Sequence, residues 1–599
     1  MASLDLQRLR RLGPYLAQDR RRLLLALILL VPLAFASSIQ PLLVGQAISV
    51  LRGEPVLPWL RGLAVPEALR LLVGLLLLAV LVRLGLQGTQ LYNVQVVGQR
   101  LTARIRDDLF RHALALSLRF HDRTTVGRLL TRLTSDVDAL AEVFGSGAVG
   151  VLADLVSLVV VGVTMISIEW RLGLLLMASQ IPVTLAILWL QGRYRKVNYR
   201  VREELGGLNA ELQENLQGLE VVQMFRREQE NSRRFARGND TYRRAVTGTI
   251  LYDSAISAFI EWVSLVAVAV VLALGGWMVT AGSMGLGTLT TFILFSQRLF
   301  DPLRQLAERF TQIQGGLTAV ERIGELLDEP LDIVELADSS RSDAARRSGL
   351  QGRSPGEVVF ESVSFAYRSD DPILDNLSFR IAAGEHVAIV GPTGSGKSTV
   401  IRLLCRLYEP QAGRILLDGV DIRELPIATL RQRLGVVLQD TFLFSGNVAD
   451  NLRLDAAISD QELERLCGEL GLKPMLDRLD QGLASELRER GANLSSGERQ
   501  LLAVARVAIR DPSVLVMDEA TAFLDPSTEA TLQSDLDRLL RDRTAIVIAH
   551  RLATVEAADR ILVLRQGRLI EQGNHLELRR AGGLYAQLAD LQEKGLAAL

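Results

Sequence analysis

The sequence predicts a multi-domain chain: an all-α domain of six membrane-length helices, followed by an α/β domain. Three observations lead there. Uncharged apolar stretches crowd the chain before about residue 320. The remainder has the mixed composition of a water-facing domain. Within that remainder, short apolar runs of strand length end in glycine or in acidic residues, the pattern of strands feeding an α/β sheet edge.

A helix needs about 20 mostly apolar residues to cross the hydrocarbon layer of a bilayer. Six segments reach that length: 23–51, 69–98, 137–168, 172–191, 255–279 and 287–314. Several have helix to spare, so the spans are expected to run on past the bilayer. Arginines precede 23–32, and Ala34-Phe35-Ala36 imitates a signal cleavage site, but the uncharged stretch continues to Leu51. It therefore reads as an uncleaved first span. Arg20, Arg21 and Arg22 before the first span, Arg100, Arg104 and Arg106 after the second, and Arg193, Arg195 and Lys196 after the fourth place those ends in the cytoplasm. Both termini and the second domain then face the cytoplasm, at a bacterial inner membrane. Domain limits are expected at 1–330 for the membrane part, 331–355 for a polar linker rich in Asp, Ser, Arg and Gly, and 356–599 for the α/β part.

The chain has 599 residues, too many for one core, and 49% of them are hydrophobic. Its net charge of −1 averages over the two parts and identifies no partner. Six apolar spans and the lack of a basic, aromatic-rich face exclude a nucleic-acid-binding role. The two cysteines, Cys405 and Cys467, are far apart in the second part and read as small buried residues of a reduced compartment. Asp154, Glu261 and Arg298 lie within apolar spans, where a charge is costly and usually faces a cavity or a partner. Arg298 sits about 16 Å along the last span at about 1.5 Å per residue. It is a candidate for a substrate path that favours anionic or amphipathic cargo.

Chemistry concentrates in the α/β part. The apolar run Val387–Val390 leads into Gly391, Pro392, Thr393, Gly394, Ser395, Gly396, Lys397 and Ser398, with helix-forming residues from Thr399. Glycines let backbone N–H groups curl around phosphates, and the helix start adds its positive end. Lys397 reaches phosphate oxygens, and the Ser398 hydroxyl suits Mg²⁺. This is the loop of a P-loop nucleotide-binding fold. A second run, Val514–Met517, ends in Asp518 and Glu519. Asp518 would hold the metal through water, and Glu519 would polarise the attacking water. A third run, Thr544–Ile548, ends near His550, placed to sense the terminal phosphate.

Between these runs stands Asn493-Leu494-Ser495-Ser496-Gly497-Glu498-Arg499-Gln500. With it, the chain resembles the ATP-binding cassette exporters, in the half-transporter arrangement of bacterial multidrug and lipid exporters, over nearly its whole length. The resemblance implies ATP and Mg²⁺ as cofactors, and ATP hydrolysis coupled to alternating access. It implies that Tyr367 stacks on adenine, that Gln439 touches Mg²⁺ and relays nucleotide state, and that Asp525 contacts the opposite cassette. It makes His550 a switch residue. Ser495 and Gly497 would meet the γ-phosphate of ATP held by the other cassette. Residues 120–138 and 214–225 are similar to the family's intracellular loops. The signature departs from the usual Leu-Ser-Gly-Gly-Gln at Ser496 and Glu498, and Arg488 replaces the glycine usual before Glu489. A dimer is implied, a second copy being slightly favoured over a different subunit. The bilayer and a small amphipathic substrate are the other expected partners. Import by an exporter-like fold, and a membrane-anchored regulatory ATPase, stay as alternative readings.

Overall fold

The computed structural model describes residues 13–333, 356–368, 371–438, 441–454, 456–518, 540, 543–549 and 552–593. Glu519, Asp525, Gln439 and His550 lie outside these described residues. The chain divides into two compact units, Met1–Leu114 with Val126–Glu329, and Ala115–Thr125 with Pro330–Leu599. The second unit thus includes a segment from the middle of the helical part.

The first unit is helical: α1 Arg20–Arg52, α2 Val65–Ala115, α3 Ala148–Ile168, α4 Trp170–Gln217, α5 Glu228–Thr280, α6 Leu286–Leu299 and α7 Asp301–Leu327. Five of these helices, α1 to α5, are long and apolar enough to cross a membrane. The surplus is large, since α2 has 51 residues, α4 has 48 and α5 has 53, where about 20 span the hydrocarbon. The sixth expected span, 287–314, is helical but interrupted at Phe300. Pro302 stands in the first turn of α7, where its missing N–H is tolerated only at a helix start. The third expected span, 137–168, contains a π-helical turn at Val143–Gly147, followed by α3.

Two helices cross where glycine meets glycine. A Cβ on Gly287 of α6 would lie 2.2 Å from the Gly45 carbonyl oxygen of α1 and 2.1 Å from Ser49 Oγ. Small residues at such crossings let apolar helices gain dispersion contact that lipid cannot outcompete. Just beyond α1, Glu54 caps α6: its carboxylate accepts from the N–H of Leu286 at 2.6 Å and of Gly287 at 3.1 Å, and from Ser49 Oγ at 3.2 Å. Burial opposes the charge, but these donors hold the carboxyl below its usual range. Phe292, Phe295, Leu299 and Phe300 form the fully buried centre against Leu172, Leu176 and Val271 of α4 and α5.

In the second unit the strands are β1 Val358–Arg368, β2 Asp371–Ile381, β3 His386–Val390, β4 Ala412–Leu417, β5 Val420–Asp421, β6 Leu434–Val437, β7 Gly446–Asn447, β8 Glu486–Leu487, β9 Val514–Asp518, β10 Thr544–Ile548, β11 Arg560–Arg565 and β12 Arg568–Gly573. The central sheet has the order β12-β11-β3-β10-β9-β6, parallel except for the β12 edge. An antiparallel sheet, β2-β1-β4-β5, and a short β7–β8 ribbon complete it. Two helices matter for the chemistry, α8 Lys397–Leu404 and α9 Ser496–Ile509. Alternate residues of β9 separate two cores: Val514 and Val516 pack with Val400, Leu403 and Leu404 of α8, whereas Leu515 and Met517 pack with Leu501, Leu502 and Val504 of α9. Side chains of a strand alternate between faces, so α8 and α9 cover opposite faces of the central sheet.

Candidate functional site: a phosphate cradle and two membrane arginines

The loop after β3 is held open by conformations that side chains resist. Gly391 has φ 151° and Gly396 has φ 97°. A Cβ on Gly391 would sit 2.1 Å from the Leu564 carbonyl oxygen. The loop therefore closes down against β11 only with glycine there. Lys397 is buried and donates from Nζ to the carbonyl oxygens of Gly391 at 2.8 Å and Pro392 at 3.0 Å. Its ammonium thus lies across the loop, drawn back over the residues that would wrap a phosphate. Thr393, Gly394 and Ser398 are exposed on the same turn. The buried Ser395 hydroxyl oxygen has no hydrogen-bond partner among the described residues.

Asp518 ends β9. Register ties it to the loop: Ile548 of β10 aligns with Ile389 of β3 on one side and with Asp518 on the other. The glycine loop and Asp518 therefore leave the same C-terminal edge of the sheet, two strand spacings or about 10 Å apart. Ser398 and Asp518 offer hard oxygen donors of the kind Mg²⁺ takes.

Tyr367 is half-buried on β1 and leads into a chain of contacts that sequence reading missed. Its hydroxyl lies 3.2 Å from Thr399 Oγ1 and accepts from Arg402 Nη1 at 3.3 Å. Its ring meets Tyr408 edge-on at 5.2 Å. The Tyr408 hydroxyl donates to Asp122, in the short helix Leu118–Arg123 that belongs to this unit. Burial, and then Asp122, push the Tyr408 hydroxyl well above the ordinary tyrosine range, so it stays a donor.

Ser495 is the N-cap of α9 and forms a capping box with Glu498. Gly497 is buried in its first turn. Ser495 makes its side-chain hydrogen bonds with Glu498, and α9 packs on the opposite face of the central sheet from α8.

In the helical unit the expected residues separate into three settings. Asp154 is paired with Arg309 at 2.7 Å, and Gln305 accepts from the same guanidinium at 2.6 Å. Glu261 is exposed, with no ion-pair partner among the described residues. Arg298 joins a group: it donates to the Ser37 carbonyl at 3.4 Å and to Gln40 Oε1 at 3.5 Å, and Arg83 donates to the same Gln40 oxygen at 3.1 Å. Two guanidiniums from α2 and α6 thus share one neutral acceptor on α1.

A family model described as the ABC transporter transmembrane region matches residues 23–303, and one described as ABC transporter matches 374–522. The probable multidrug resistance ABC transporter ATP-binding/permease protein YheH of Bacillus subtilis is 34% identical over 87% of this chain and 76% of its own length. The chain belongs to the ABC transporter family. The ATP-dependent lipid A-core flippase of Syntrophus aciditrophicus is 32% identical over 88% of this chain and 86% of its own. Among solved structures, a bacterial Atm1-family ABC exporter with ATP bound superposes with TM-score 0.75, at 30% identity, over 96% of this chain and 98% of that one. The chain is therefore an ATP-binding transport ATPase of the exporter type, with a helical membrane domain and one nucleotide-binding domain, as the motifs indicate.

Proposed function

We propose that two copies of this chain form an exporter that moves an anionic amphipathic molecule out across the bacterial inner membrane by alternating access. The placement of α8 and α9 on opposite faces of one sheet carries the pairing. A chain that holds triphosphate at Lys397 has its own Ser495 and Gly497 on the far side, so a second cassette supplies them. Both termini and the nucleotide-binding domains face the cytoplasm, and the linker 331–355 joins them to the membrane part. Tyr367 stacks on adenine, and the loop from Gly391 to Thr399 wraps the phosphates. Ser398, Gln439 and Asp518 would hold Mg²⁺, whose charge neutralises the phosphate oxygens. Glu519 orients the attacking water, His550 senses the γ-phosphate, and Asp525 meets the opposite cassette.

The substrate class rests on Arg83 and Arg298. A guanidinium in an apolar span is costly unless an anion or a polar partner meets it. These two have one amide oxygen and a backbone carbonyl between them, so a phosphate, sulfonate or carboxylate headgroup would satisfy both.

Reconstitution tests the whole reading. Inside-out vesicles carrying the chain should accumulate an anionic lipid analogue on ATP addition, and Glu519→Gln should bind ATP and abolish that uptake. R83Q/R298Q should lower uptake of the anionic analogue by at least about tenfold, since each of the two lost charge-assisted contacts is worth about 1.5–3 kcal/mol, and spare a neutral one. ATP-driven movement in the reverse sense, or hydrolysis with no movement, would replace export with import or with a regulatory ATPase.

A further inference from the structure

The signature segment contains an acid where the family resemblance expects glutamine, and its surroundings give that acid a partner. Glu498 is 8% exposed. Its Oε2 accepts from the Ser495 N–H at 2.8 Å and from Ser495 Oγ at 2.9 Å, and its own N–H donates to Ser495 Oγ at 3.3 Å. Its other oxygen, Oε1, is ion-paired with the guanidinium of Arg478. Arg478 ends the helix Lys473–Arg478, and two-thirds of its side chain is exposed.

A neutral glutamine would close the same capping box, because its amide oxygen also accepts from the N-cap N–H. The carboxylate adds only a negative charge, at a helix start whose partial positive charge would otherwise favour an anion. On the pairing reading proposed above, the anion arriving there is the γ-phosphate held by the opposite cassette. A buried carboxylate beside it would repel it.

We infer that Arg478 is a positioning residue of the signature motif. It neutralises Glu498 and fixes its carboxylate on Ser495, so that a chain with acid in place of glutamine still receives the opposite triphosphate. Sequence alone hides this, since position 478 lies outside the signature and its role depends on the residue at 498.

The test uses the full chain in lipid nanodiscs. R478M should lower the maximal rate of ATP hydrolysis about tenfold, whereas R478K, which keeps the charge, should retain most of it. The double variant R478M/E498Q should hydrolyse ATP as fast as E498Q alone, because a neutral amide leaves nothing to neutralise. The R478M deficit should shrink as salt rises and screens the carboxylate. Unaltered binding of a fluorescent ATP analogue to R478M shows that the cassette is folded. Wild-type rates in R478M, or a double variant as slow as R478M, overturn the inference while leaving the pairing intact. A wild-type chain that is monomeric in nanodiscs, or inactive alone, removes the pairing reading and the inference with it.

Discussion

Tyr408→Phe removes one oxygen and nothing else from the contact between the Tyr367–Tyr408 cluster and the segment Leu118–Arg123. Tyr408 is 3% exposed, and its ring, which the variant keeps, packs edge-on against Phe365 at 5.6 Å and Tyr367 at 5.2 Å. What is lost is the hydrogen bond to Asp122. A bond to a charged acceptor contributes about 1.5–3 kcal/mol when buried. Asp122 is exposed, so water recovers part of its solvation, and the net loss is about 1 kcal/mol. That is roughly a fivefold change in the equilibrium that docks this segment on the cassette. If docking transmits nucleotide state to the membrane helices, the stimulation of ATP hydrolysis by transported substrate should fall by about the same factor. A double-mutant cycle isolates the pair: Y408F/D122A should be no worse than D122A. Additive losses would show that Tyr408 and Asp122 do not act as one contact, and would refute the argument.

Two further outcomes follow from packing and burial. Gly287→Ala places a methyl against the Gly45 carbonyl and Ser49 Oγ, so it should destabilise the membrane unit by about 1–3 kcal/mol, read as a lower thermal midpoint in detergent. Burial pushes the Cys467 thiol up to about 11 and the Cys405 thiol to about 12. Each group's folded pKa is raised, so it keeps its proton as pH rises through the range where an unfolded thiol loses one, and stability falls with alkaline pH there. At pH 8 both should resist a maleimide until urea unfolds the cassette, and fast labelling of the native protein would contradict their burial.

What sequence reading reached was local. The glycine loop is legible because strand, turn and helix are consecutive, and the phosphate chemistry needs those residue types in that order. Apolar spans are legible because each helix carries its own record of its surroundings. Their ends are less so: α2, α4 and α5 continue through charged residues where hydropathy has already fallen. The interruption at Phe300 escaped a hydropathy window, which averages across Pro302 and does not register a missing N–H. Pairings escaped as well. Tyr408 and Asp122 are 286 residues apart, and nothing near either announces the other. Asp154 read as facing a cavity or a partner, and the partner, Arg309, lies on α7, beyond reach of any local pattern. Nothing beside Arg478 in the sequence announces its pairing with Glu498.

The crossing of α1 and α6 has a mechanical consequence. With no side chain separating Gly45 from Gly287, and Glu54 clasping the first turn of α6, the two helices can neither roll nor part without breaking several contacts together. Any change of angle along this stretch of chain is then cheapest at Phe300, where the backbone hydrogen-bond ladder is already open.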